Sequence, residues 1–382
     1  MKDSTREFLK KLAGLVLVIV PLSNRMIFES LPDLSDNTKY IFDEMIRRGM
    51  NEKYKFIWIV TSKSNHLPKI KNVSYIARDE RFYLPKFFYN QCIARVLVSC
   101  NRFVYPRRKD QNSFYITHGT PVKSVKRDYS IPETIDYLLV DGEGTREMTA
   151  DQLNGDINKT VALGYPRNDV LVNAPRDIRP LFPKNDGDKI VVWYPTFRQH
   201  KNGKRNATDK ALPILHDEQQ AEKLNEIAKA NKVLLVLKPH FAQDVSKIKA
   251  RDFSNITFID DKFFVNNHIT SYEFLAGCDA LLSDYSSVYY DYLLCDKPIG
   301  LVWEDYEEYK ETTDFALDMD YYMKAGEKIY NIGDFEKFLQ NLANGNDSLK
   351  AERVEISAWA NYARDGKSAE RVVDFIIEKA KL

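Results

Sequence analysis

Four apolar, strand-like runs of this sequence are followed directly by hydroxyl, imidazole or cationic side chains. These groups begin near His118, Thr196, Lys238 and Asp284. In a parallel α/β sheet, ligands bind outside the carboxyl ends of the strands, in loops that lead into helices. Hydroxyl, imidazole and cationic groups are also the groups that bind phosphate. The sequence therefore predicts a phosphate-binding site built from several strand ends.

His118 stands at the start of a Gly119–Pro121 turn, where a tight backbone can direct a side chain into a cleft. Imidazole titrates near neutral pH and suits a general base that takes a proton from an attacking hydroxyl. His240, close after Lys238, is better placed to hold charge than to accept protons. A single histidine is more often structural, but two at strand ends of opposite halves favour a functional role for both.

The segment Ser283–Ser287 joins a strand-like run to a helical pattern. Free N–H groups, hydroxyls and the helix dipole at such a junction bind anions such as pyrophosphate. The alternative is ordinary helix capping, for which serine and aspartate are preferred anyway. Asp291, about one turn further on, could bind a ligand hydroxyl or be a solvated helix residue.

Two basic clusters lie near these loops, and each is either a solvated loop or a rim for an anionic ligand. They are Lys123, Lys126 and Arg127, and then Arg198, Lys201, Lys204 and Arg205.

Short apolar runs recur along the chain with helical patterns between them. Such runs indicate strands buried on both faces, and their alternation with helices indicates βαβ units in doubly wound parallel sheets. The predicted strands are 26–28, 56–60, 94–98, 114–117, 137–140, 160–163, 190–194, 233–237, 256–258, 280–282 and 299–302. Helical spacing is found at 37–48, 221–230, 285–295 and 358–382.

A polar stretch at 167–189, interrupted by Pro175, Pro180 and Pro183, predicts a domain boundary. We expect an α/β protein with two Rossmann-like domains, at 1–175 and 185–360, facing each other across a cleft. The helix predicted at 361–382 could cross back to the first domain. A chain of 382 residues fits two domains better than a single core.

Composition excludes several classes of protein. The 56 basic and 55 acidic residues nearly cancel, which argues against a protein that coats nucleic acid. Four cysteines without a Cys-x-x-Cys pair indicate reduced thiols in a cytosolic compartment. The histidines lack zinc-site spacing, and Asp318–Asp320 has an Asp-x-Asp form but follows no predicted strand. Glu147 stands where a dinucleotide fingerprint needs its third glycine, so NAD binding is disfavoured. Since the metal-site signals are also weak, metal-independent chemistry is favoured.

Residues 8–22 are a candidate for membrane contact. Lys10 and Lys11 precede the apolar run Leu12–Leu22, which is too short to span a bilayer because a spanning helix needs about twenty residues. A signal peptide is disfavoured because no small-x-small cleavage site follows the run. Two interpretations remain, a buried first segment and an interfacial anchor whose basic residues face anionic lipid. No spanning helix is predicted elsewhere.

Six short motifs, in a fixed order, resemble those of the CDP-glycerol glycerophosphotransferases, the family that builds teichoic acids and related capsule polymers. They are Phe28–Ser30, His118–Pro121 with Lys123, Gly164–Asp169, Pro195–Arg198, Lys238–His240, and Asp284–Ser287 with Asp291 and Lys297–Pro298. Each motif alone is weak, but together they span most of the chain. Thr117, where family members often carry an aromatic residue, and the Lys238–Pro239 pair depart from the family pattern and bear on donor preference.

The resemblance implies a GT-B fold, in which the first domain is the acceptor side and the second binds a CDP-alcohol donor. It implies a location in the bacterial cytoplasm, peripheral on the inner face of the membrane, and no need for a metal or cofactor. His118 is the implied catalytic base, and His240 is a second catalytic residue. The implied donor contacts are Thr117, Gly119, Thr120, Pro121, Arg167, Pro195, Thr196, Arg198, Lys238, Asp284, Ser286, Ser287 and Asp291.

The predicted function is therefore transfer of a polyol phosphate from a CDP-alcohol such as CDP-glycerol. The acceptor is a hydroxyl of a lipid-linked saccharide or polyol-phosphate chain, and CMP is released. One alternative, a GT-B nucleotide-sugar glycosyltransferase, would release a nucleoside diphosphate instead. A second alternative, a non-catalytic protein that binds phosphate polymers, would show no turnover, and the paired histidines argue against it. The sequence leaves open glycerol or ribitol in the donor, and priming or polymerisation.

Overall fold

The computed structural model describes residues 20–63, 67–173, 175–183, 189–198, 212–240, 243, 245, 248 and 251–382. Most of the predicted membrane-contact segment 8–22 lies outside the described residues, as do Lys201, Lys204 and Arg205 of the second basic cluster. The chain forms two compact units. The first comprises Met1–His118, Asp128–Asp169 and Lys367–Leu382, and the second comprises Gly119–Arg127 and Val170–Gly366.

The first unit contains a seven-stranded, fully parallel sheet in the order β3-β2-β1-β4-β5-β6-β7. Its strands are β1 (Ser23–Glu29), β2 (Lys55–Val60), β3 (Val73–Ala77), β4 (Ala94–Ser99), β5 (Asn112–Ile116), β6 (Tyr137–Val140) and β7 (Thr160–Ala162). Its helices are α1 (Asp36–Arg47), α2 (Tyr83–Ile93), α3 (Glu143–Gln152) and α13 (Ser368–Ala380).

Successive side chains of each strand point to opposite faces of the sheet. In this sheet the side chains on both faces are apolar. In β1, Met26 and Phe28 belong to the core cluster that packs against α1 and α13. Ile27, between them, belongs to the opposite cluster, next to the α2 residues Tyr83 and Phe87. This burial on both faces explains why the sequence shows continuous apolar runs rather than alternation.

The second unit contains a six-stranded parallel sheet in the order β10-β9-β8-β11-β12-β13. Its strands are β8 (Lys189–Trp193), β9 (Val233–Leu237), β10 (Ile256–Phe258), β11 (Ala280–Ser283), β12 (Ile299–Val302) and β13 (Glu327–Ile329). The remaining helices are α4 (Asp169–Val172), within which the chain passes between units, and α5 (Glu218–Ala230), α6 (Asp261–Asn266), α7 (Ser271–Gly277), α8 (Val288–Tyr292), α9 (Tyr306–Thr312), α10 (Met319–Tyr322), α11 (Ile332–Ala343) and α12 (Lys350–Ala360).

Helices cover both faces of the second sheet. α5 and α11 pack on the face that carries Val191 and Trp193. α7, α8, α9 and α12 contribute to the core cluster on the face that carries Ile190 and Val192. The predicted α/β class with two doubly wound parallel sheets is thereby confirmed.

Three features of the structure differ from the sequence-based expectation. The segment Gly119–Arg127, which lies within the predicted first domain, belongs to the second unit. The helix predicted at 285–295 is an α-helix only from Val288 to Tyr292, and Leu293–Cys295 is a 3₁₀ turn. The helical pattern at 358–382 belongs to two helices, α12 and α13, separated at Gly366, whose φ of +64° favours glycine. A Cβ at Gly366 would lie 2.5 Å from the side chain of Asn173.

Among the described residues, no helix is both long and apolar enough to cross a bilayer.

Candidate functional site

In the first unit, Thr117 and His118 follow β5 at the carboxyl edge of the sheet. Thr117 is buried, and its hydroxyl lies 2.5 Å from the hydroxyl of Tyr165. Its backbone N–H donates to the carbonyl of Leu139 in β6 (3.2 Å). His118 comes next and is exposed. Thr117, at the end of the strand, is therefore fixed by both its side chain and its backbone, while the imidazole of His118 that follows is exposed to solvent.

Arg167 is brought to the same edge by Asn37, which is fully buried in the first turn of α1. The amide of Asn37 donates to the carbonyl of Thr117 (2.9 Å) and accepts the backbone N–H of Arg167 (3.1 Å). The Arg167 guanidinium pairs with Asp36 (2.6 Å) and lies 5.5 Å from the ring centroid of Tyr165. Asn37 thus links Arg167 to Thr117, the residue that precedes His118 in the chain.

Glu29, of the first motif, ends β1 on this edge and is fully buried. It accepts the backbone N–H groups of Arg102 (2.9 Å) and Asn101 (3.3 Å), and Arg78 lies 3.3 Å away. Burial raises the pKa of Glu29, although these hydrogen bonds and Arg78 oppose the rise. Its contacts tie the end of β1 to the loop after β4.

In the second unit, the loop after β8 carries Pro195, Thr196 and Arg198 and is bound to the loop after β11. Thr196 donates its backbone N–H (2.9 Å) and its hydroxyl (2.6 Å) to the carboxylate of Asp284. Pro195, between the strand and these contacts, is buried. Two neighbouring strand ends are therefore joined at the point where the order of the sheet reverses, which is where open α/β sheets bind ligands.

Arg198 lies at the centre of this arrangement and is fully buried. Its guanidinium pairs with Asp284 (2.8 Å) and with Asp305 (2.6 Å), and it also donates to the carbonyl of Thr196 (2.8 Å). Burial opposes the charge of Arg198, but the two carboxylates outweigh it and raise its pKa. The sequence placed Arg198 in a rim that contacts the donor, whereas the structure uses it inside the unit to fix the Thr196 loop.

Asp305 is a residue that sequence reasoning missed. It follows β12, is buried, and also accepts the hydroxyl of Tyr285 (3.0 Å). The rings of Tyr285 and Tyr309 both lie 5.0 Å from the Arg198 guanidinium carbon. A carboxylate after the fifth strand of the sheet was the available signal, but nothing in the sequence pairs it with an arginine 107 positions away.

Lys238 and His240 follow β9 on the same edge. Lys238 pairs with Asp261 (3.0 Å), and the His240 ring lies 5.2 Å from the ring of Phe197. Burial, and then the charge of Lys238, lowers the pKa of His240 below its ordinary 6.5. His240 is therefore a neutral imidazole at neutral pH, able to donate or accept a hydrogen bond.

Ser286 and Ser287 lead into α8 and are partly exposed. Ser287 is the N-cap residue, and its side chain makes no capping hydrogen bond. Asp291 is buried within the helix and accepts the hydroxyl of Tyr272 (2.6 Å). The two hydroxyls thus lie near the Asp284 loop, whereas Asp291 points into the packing of α7 and α8.

The residues Gly119, Thr120 and Pro121 belong to the second unit, unlike His118. Thr120 is 2% exposed. The Asp-x-Asp sequence at 318–320 has a structural use, because Asp318 caps α10 by accepting the N–H groups of Asp320 and Tyr321. Among the described residues, no group of three or more histidine, cysteine or acidic side chains could hold a metal ion.

Two parallel α/β sheets, each with polar strand ends at its carboxyl edge, define this chain as an α/β protein of the GT-B-like type. The chain belongs to the CDP-glycerol:poly(glycerophosphate) glycerophosphotransferase family, whose sequence model matches residues 14–378. It is accordingly a transferase of the family that includes the teichoic acid polymerases and primases.

Individual relatives agree with this assignment. The chain is 25% identical to a teichoic acid poly(glycerol phosphate) polymerase of Bacillus spizizenii, over 80% of this chain and 81% of that protein. It is 24% identical to the teichoic acid ribitol-phosphate polymerase TarK of Staphylococcus aureus, over 94% of this chain and 69% of that protein. The solved structure of the wall teichoic acid polymerase TagF has the same fold, with a TM-score of 0.72 at 21% identity over 100% of this chain and 99% of that chain. The predicted GT-B fold and family are therefore confirmed.

Proposed function

We propose that this enzyme transfers glycerol phosphate, or a related polyol phosphate, from a CDP-alcohol to a hydroxyl of a lipid-linked saccharide or polyol-phosphate acceptor. The observation that carries the proposal is the joined pair of strand ends in the second unit, where Thr196 bonds to the buried Arg198–Asp284 pair and the partly exposed Ser286 and Ser287 follow Asp284 in the chain. Such an edge offers hydroxyls and backbone N–H groups, held in place by buried ion pairs, to a diphosphate. Family membership supplies the donor class.

The proposed chemistry is a single displacement at phosphorus. The acceptor hydroxyl forms a bond to the phosphorus that carries the alcohol, and the bond from that phosphorus to the bridging oxygen breaks. His118 takes the hydroxyl proton, and CMP leaves with the electron pair of the broken bond. Because phosphoryl transfer depends mainly on positioning and charge stabilisation, the neutral His240 and the cation Lys238 are assigned to the phosphates.

We assign the stabilisation of the negative charge on the phosphates to the basic side chains of this chain. The proposal therefore requires no metal or cofactor, and CMP release should continue at the same rate in the presence of EDTA. A loss of activity on chelation that Mg²⁺ restores would contradict this part of the proposal.

The experiment that tests the function measures CMP release from CDP-glycerol and, separately, from CDP-ribitol. Each donor is tested with and without a lipid-linked saccharide or a short polyol-phosphate acceptor. We expect CMP release that depends on the acceptor, and the better donor identifies the alcohol. Release of CDP, or of UDP from a nucleotide sugar, would contradict the proposal in favour of a glycosyltransferase.

The role of His118 is tested separately from that of the fold. We expect H118A to lower kcat by a factor of about 10²–10⁴, the usual contribution of a general base, with donor affinity almost unchanged. The matched control is H268N, because His268 is exposed and the side chain is outside the proposed site. Equal loss of binding and turnover in H118A would contradict the assignment of His118 as the base.

We also propose that the enzyme works at the inner surface of the cell membrane. The support is a set of exposed side chains in and just before α2, namely Phe82 (59% exposed), Leu84 (71%) and Tyr89 (44%), with the exposed basic residues Arg81 and Lys86 among them in the sequence. Exposed aromatic and aliphatic groups flanked by basic residues bind anionic bilayers. We expect the chain to float with vesicles that contain phosphatidylglycerol and an F82S/L84S variant to float less. Equal flotation of both would contradict this surface.

A further inference from the structure

Lys123 is held in the second unit by its neighbours on both sides. The backbone N–H of Ser124 donates to the carbonyl of Asp314 (2.8 Å), and the carbonyl of Val122 accepts the N–H of Ala316 (2.9 Å). Lys123 itself forms an isolated bridge with Phe315. Val122 is 3% exposed and belongs to the core. The position of the Lys123 side chain is therefore fixed by the second unit.

The ammonium of Lys123 has an unusual set of partners for a side chain that is largely buried. It donates to the hydroxyl of Tyr309 (3.1 Å) and lies 5.7 Å from the centroid of that ring. No carboxylate of the described residues forms an ion pair with it, whereas Lys238 pairs with Asp261 and Arg198 pairs with two carboxylates. A shielded ammonium without a counter-charge is costly, and Tyr309 is the one hydrogen-bond acceptor found for Lys123 in the part of the chain that the structure describes.

The groups around Lys123 are those already assigned to the site. It lies within electrostatic reach of Asp284 and Arg198, and it is one of the charges that lower the pKa of His240. Asp284 cannot serve Lys123 as a full counter-charge, because its oxygens accept from Thr196 and pair with Arg198. An anion placed beside His240 and Lys238 would complete the arrangement.

We propose that Lys123 binds a phosphate oxygen of the CDP-alcohol diphosphate, which supplies the counter-charge that its ammonium lacks among the described residues. The inference rests on the proposed function and deepens it by assigning a phosphate contact to one residue of a basic cluster that the sequence left as either a solvated loop or a rim for an anionic ligand. It also gives a physical reason why the segment after His118 belongs to the second unit.

The proposal has a consequence for pH dependence. Burial lowers the pKa of Lys123 to about 8; Asp284 opposes this shift and Arg198 adds to it. A bound phosphate favours the ammonium, so donor affinity is highest below pH 8 and falls as the pH rises through that value. The fraction of ammonium in the free protein falls from about nine-tenths at pH 7 to about one-tenth at pH 9, which predicts a roughly tenfold weaker Kd.

Neighbouring groups do not produce the same profile. His240 titrates below 6.5, and burial raises the pKa of Tyr309 and of Tyr285. Arg198 remains charged because its pKa is raised. The other charged groups near the segment are Asp284, Asp305, Lys238, Asp261 and Asp314. CDP-glycerol itself contains a diphosphate diester, which has no ionisation between pH 7 and 9.

The experiment is calorimetric titration of the full chain with CDP-glycerol at pH 7 and pH 9. The variants are K123M, K123R and, as a matched control on the same segment, K126M, which changes an exposed lysine. We expect the wild type and K126M to lose affinity about tenfold between the two pH values. We expect K123M to bind weakly at both, and K123R, which stays charged, to keep its pH 7 affinity at pH 9.

Wild-type affinity at pH 7 in a folded K123M would overturn the assignment of Lys123, as would a tenfold loss with pH that persists in K123M. If K123M does not fold, the absence of any difference in pH dependence between K123R and the wild type overturns it instead. Absence of wild-type binding to CDP-glycerol and to CDP-ribitol would overturn the proposed donor, and this inference with it. Failure of the proposed function and failure of the Lys123 inference are thereby distinguished.

Discussion

Replacing Asp305 by alanine would leave the buried guanidinium of Arg198 with one carboxylate instead of two. The carboxylate of Asp305 accepts from Arg198 Nε at 2.6 Å and Nη2 at 3.3 Å, and from the Tyr285 hydroxyl at 3.0 Å. Arg198 cannot turn to solvent, because it is 0% exposed and packed against two tyrosine rings that stack on each other. D305A should therefore lower the free energy of unfolding by the full cost of burying an incompletely paired charge.

The magnitude follows from these contacts. One of the three hydrogen bonds is short (2.6 Å) and the bond from Tyr285 is within the normal range (3.0 Å). Bonds to charged groups contribute about 1.5–3 kcal/mol each, so the loss of these two costs roughly 3–6 kcal/mol. Removal of one partner of a buried ion pair costs about 3–5 kcal/mol, which agrees with that figure. For a unit of this size, about 2–4 °C per kcal/mol translates the loss into a fall in Tm of roughly 6–20 °C.

Scanning calorimetry of the full chain measures this change, and hydrogen exchange of peptides from β8 and β11 identifies the transition that moves. D305N keeps the volume and one acceptor oxygen, so we expect it to lie between D305A and the wild type. The matched control is D177A, which removes a carboxylate 3.3 Å from Arg179 where both side chains are more than half exposed. A fall in Tm for D305A no larger than that for D177A would refute the reasoning.

Three further predictions concern other parts of the molecule. T117V removes the hydroxyl that contacts Tyr165, and we expect a loss of about 1 kcal/mol in the free energy of unfolding and a lower kcat with unchanged donor affinity. G164A places a methyl group 2.4 Å from Ser368 Oγ at a φ of +84°, so we expect faster hydrogen exchange in α13 and a loss of roughly 1–3 kcal/mol. Burial lowers the pKa of Lys328 to about 7, so the unfolded chain binds more protons. Lys328 should therefore add about 2 kcal/mol to the free energy of unfolding between pH 7 and pH 9, and the rise in K328M should be smaller by this amount.

Each of these predictions has its own control. G49A changes a glycine with a φ of +69° and no atom within 4 Å of the added Cβ, so it carries the backbone penalty without the clash. Equal losses in G49A and G164A would contradict a role for the Ser368 contact. T117S restores the hydroxyl and should recover most of the kcat lost in T117V. A K328M variant that retains the full pH dependence of urea denaturation would contradict the assignment to Lys328.

The sequence predicted the central strands of both sheets because their burial on both faces leaves a continuous apolar run. It predicted two of the edge strands, β7 and β10, but not the other two, β3 and β13. Val73, Ser74 and Tyr75 of β3 are only partly buried, and Glu327 and Lys328 make up most of β13. An edge strand is paired on one side and needs no continuous apolar pattern, so the sequences of these two strands did not distinguish them from loops.

In the candidate site, too, local sequence patterns predicted some features, whereas features that depend on residues far apart in the sequence were not predicted. The rule that ligands lie at strand ends placed Thr196 and Asp284 on one edge, and the structure joins them directly. The burial of Arg198 could not be predicted, because it depends on Asp305 at the end of a strand two positions away in the sheet. Charge in a sequence indicates a cation, but whether it meets solvent, ligand or carboxylate is decided by distant contacts.

Helix α13 has a consequence for the order in which the chain folds on the ribosome. Its Val372, Val373 and Ile376 fill the core around Phe28, and its first turn donates to Asp169, 199 positions earlier. Until these residues have been synthesised, the face of the first sheet that packs against α1 and α13 is only partly covered. The second unit is meanwhile made in full. Although domains generally fold in the order of their synthesis, we expect the half of this chain that is made first to be the half that finishes folding last.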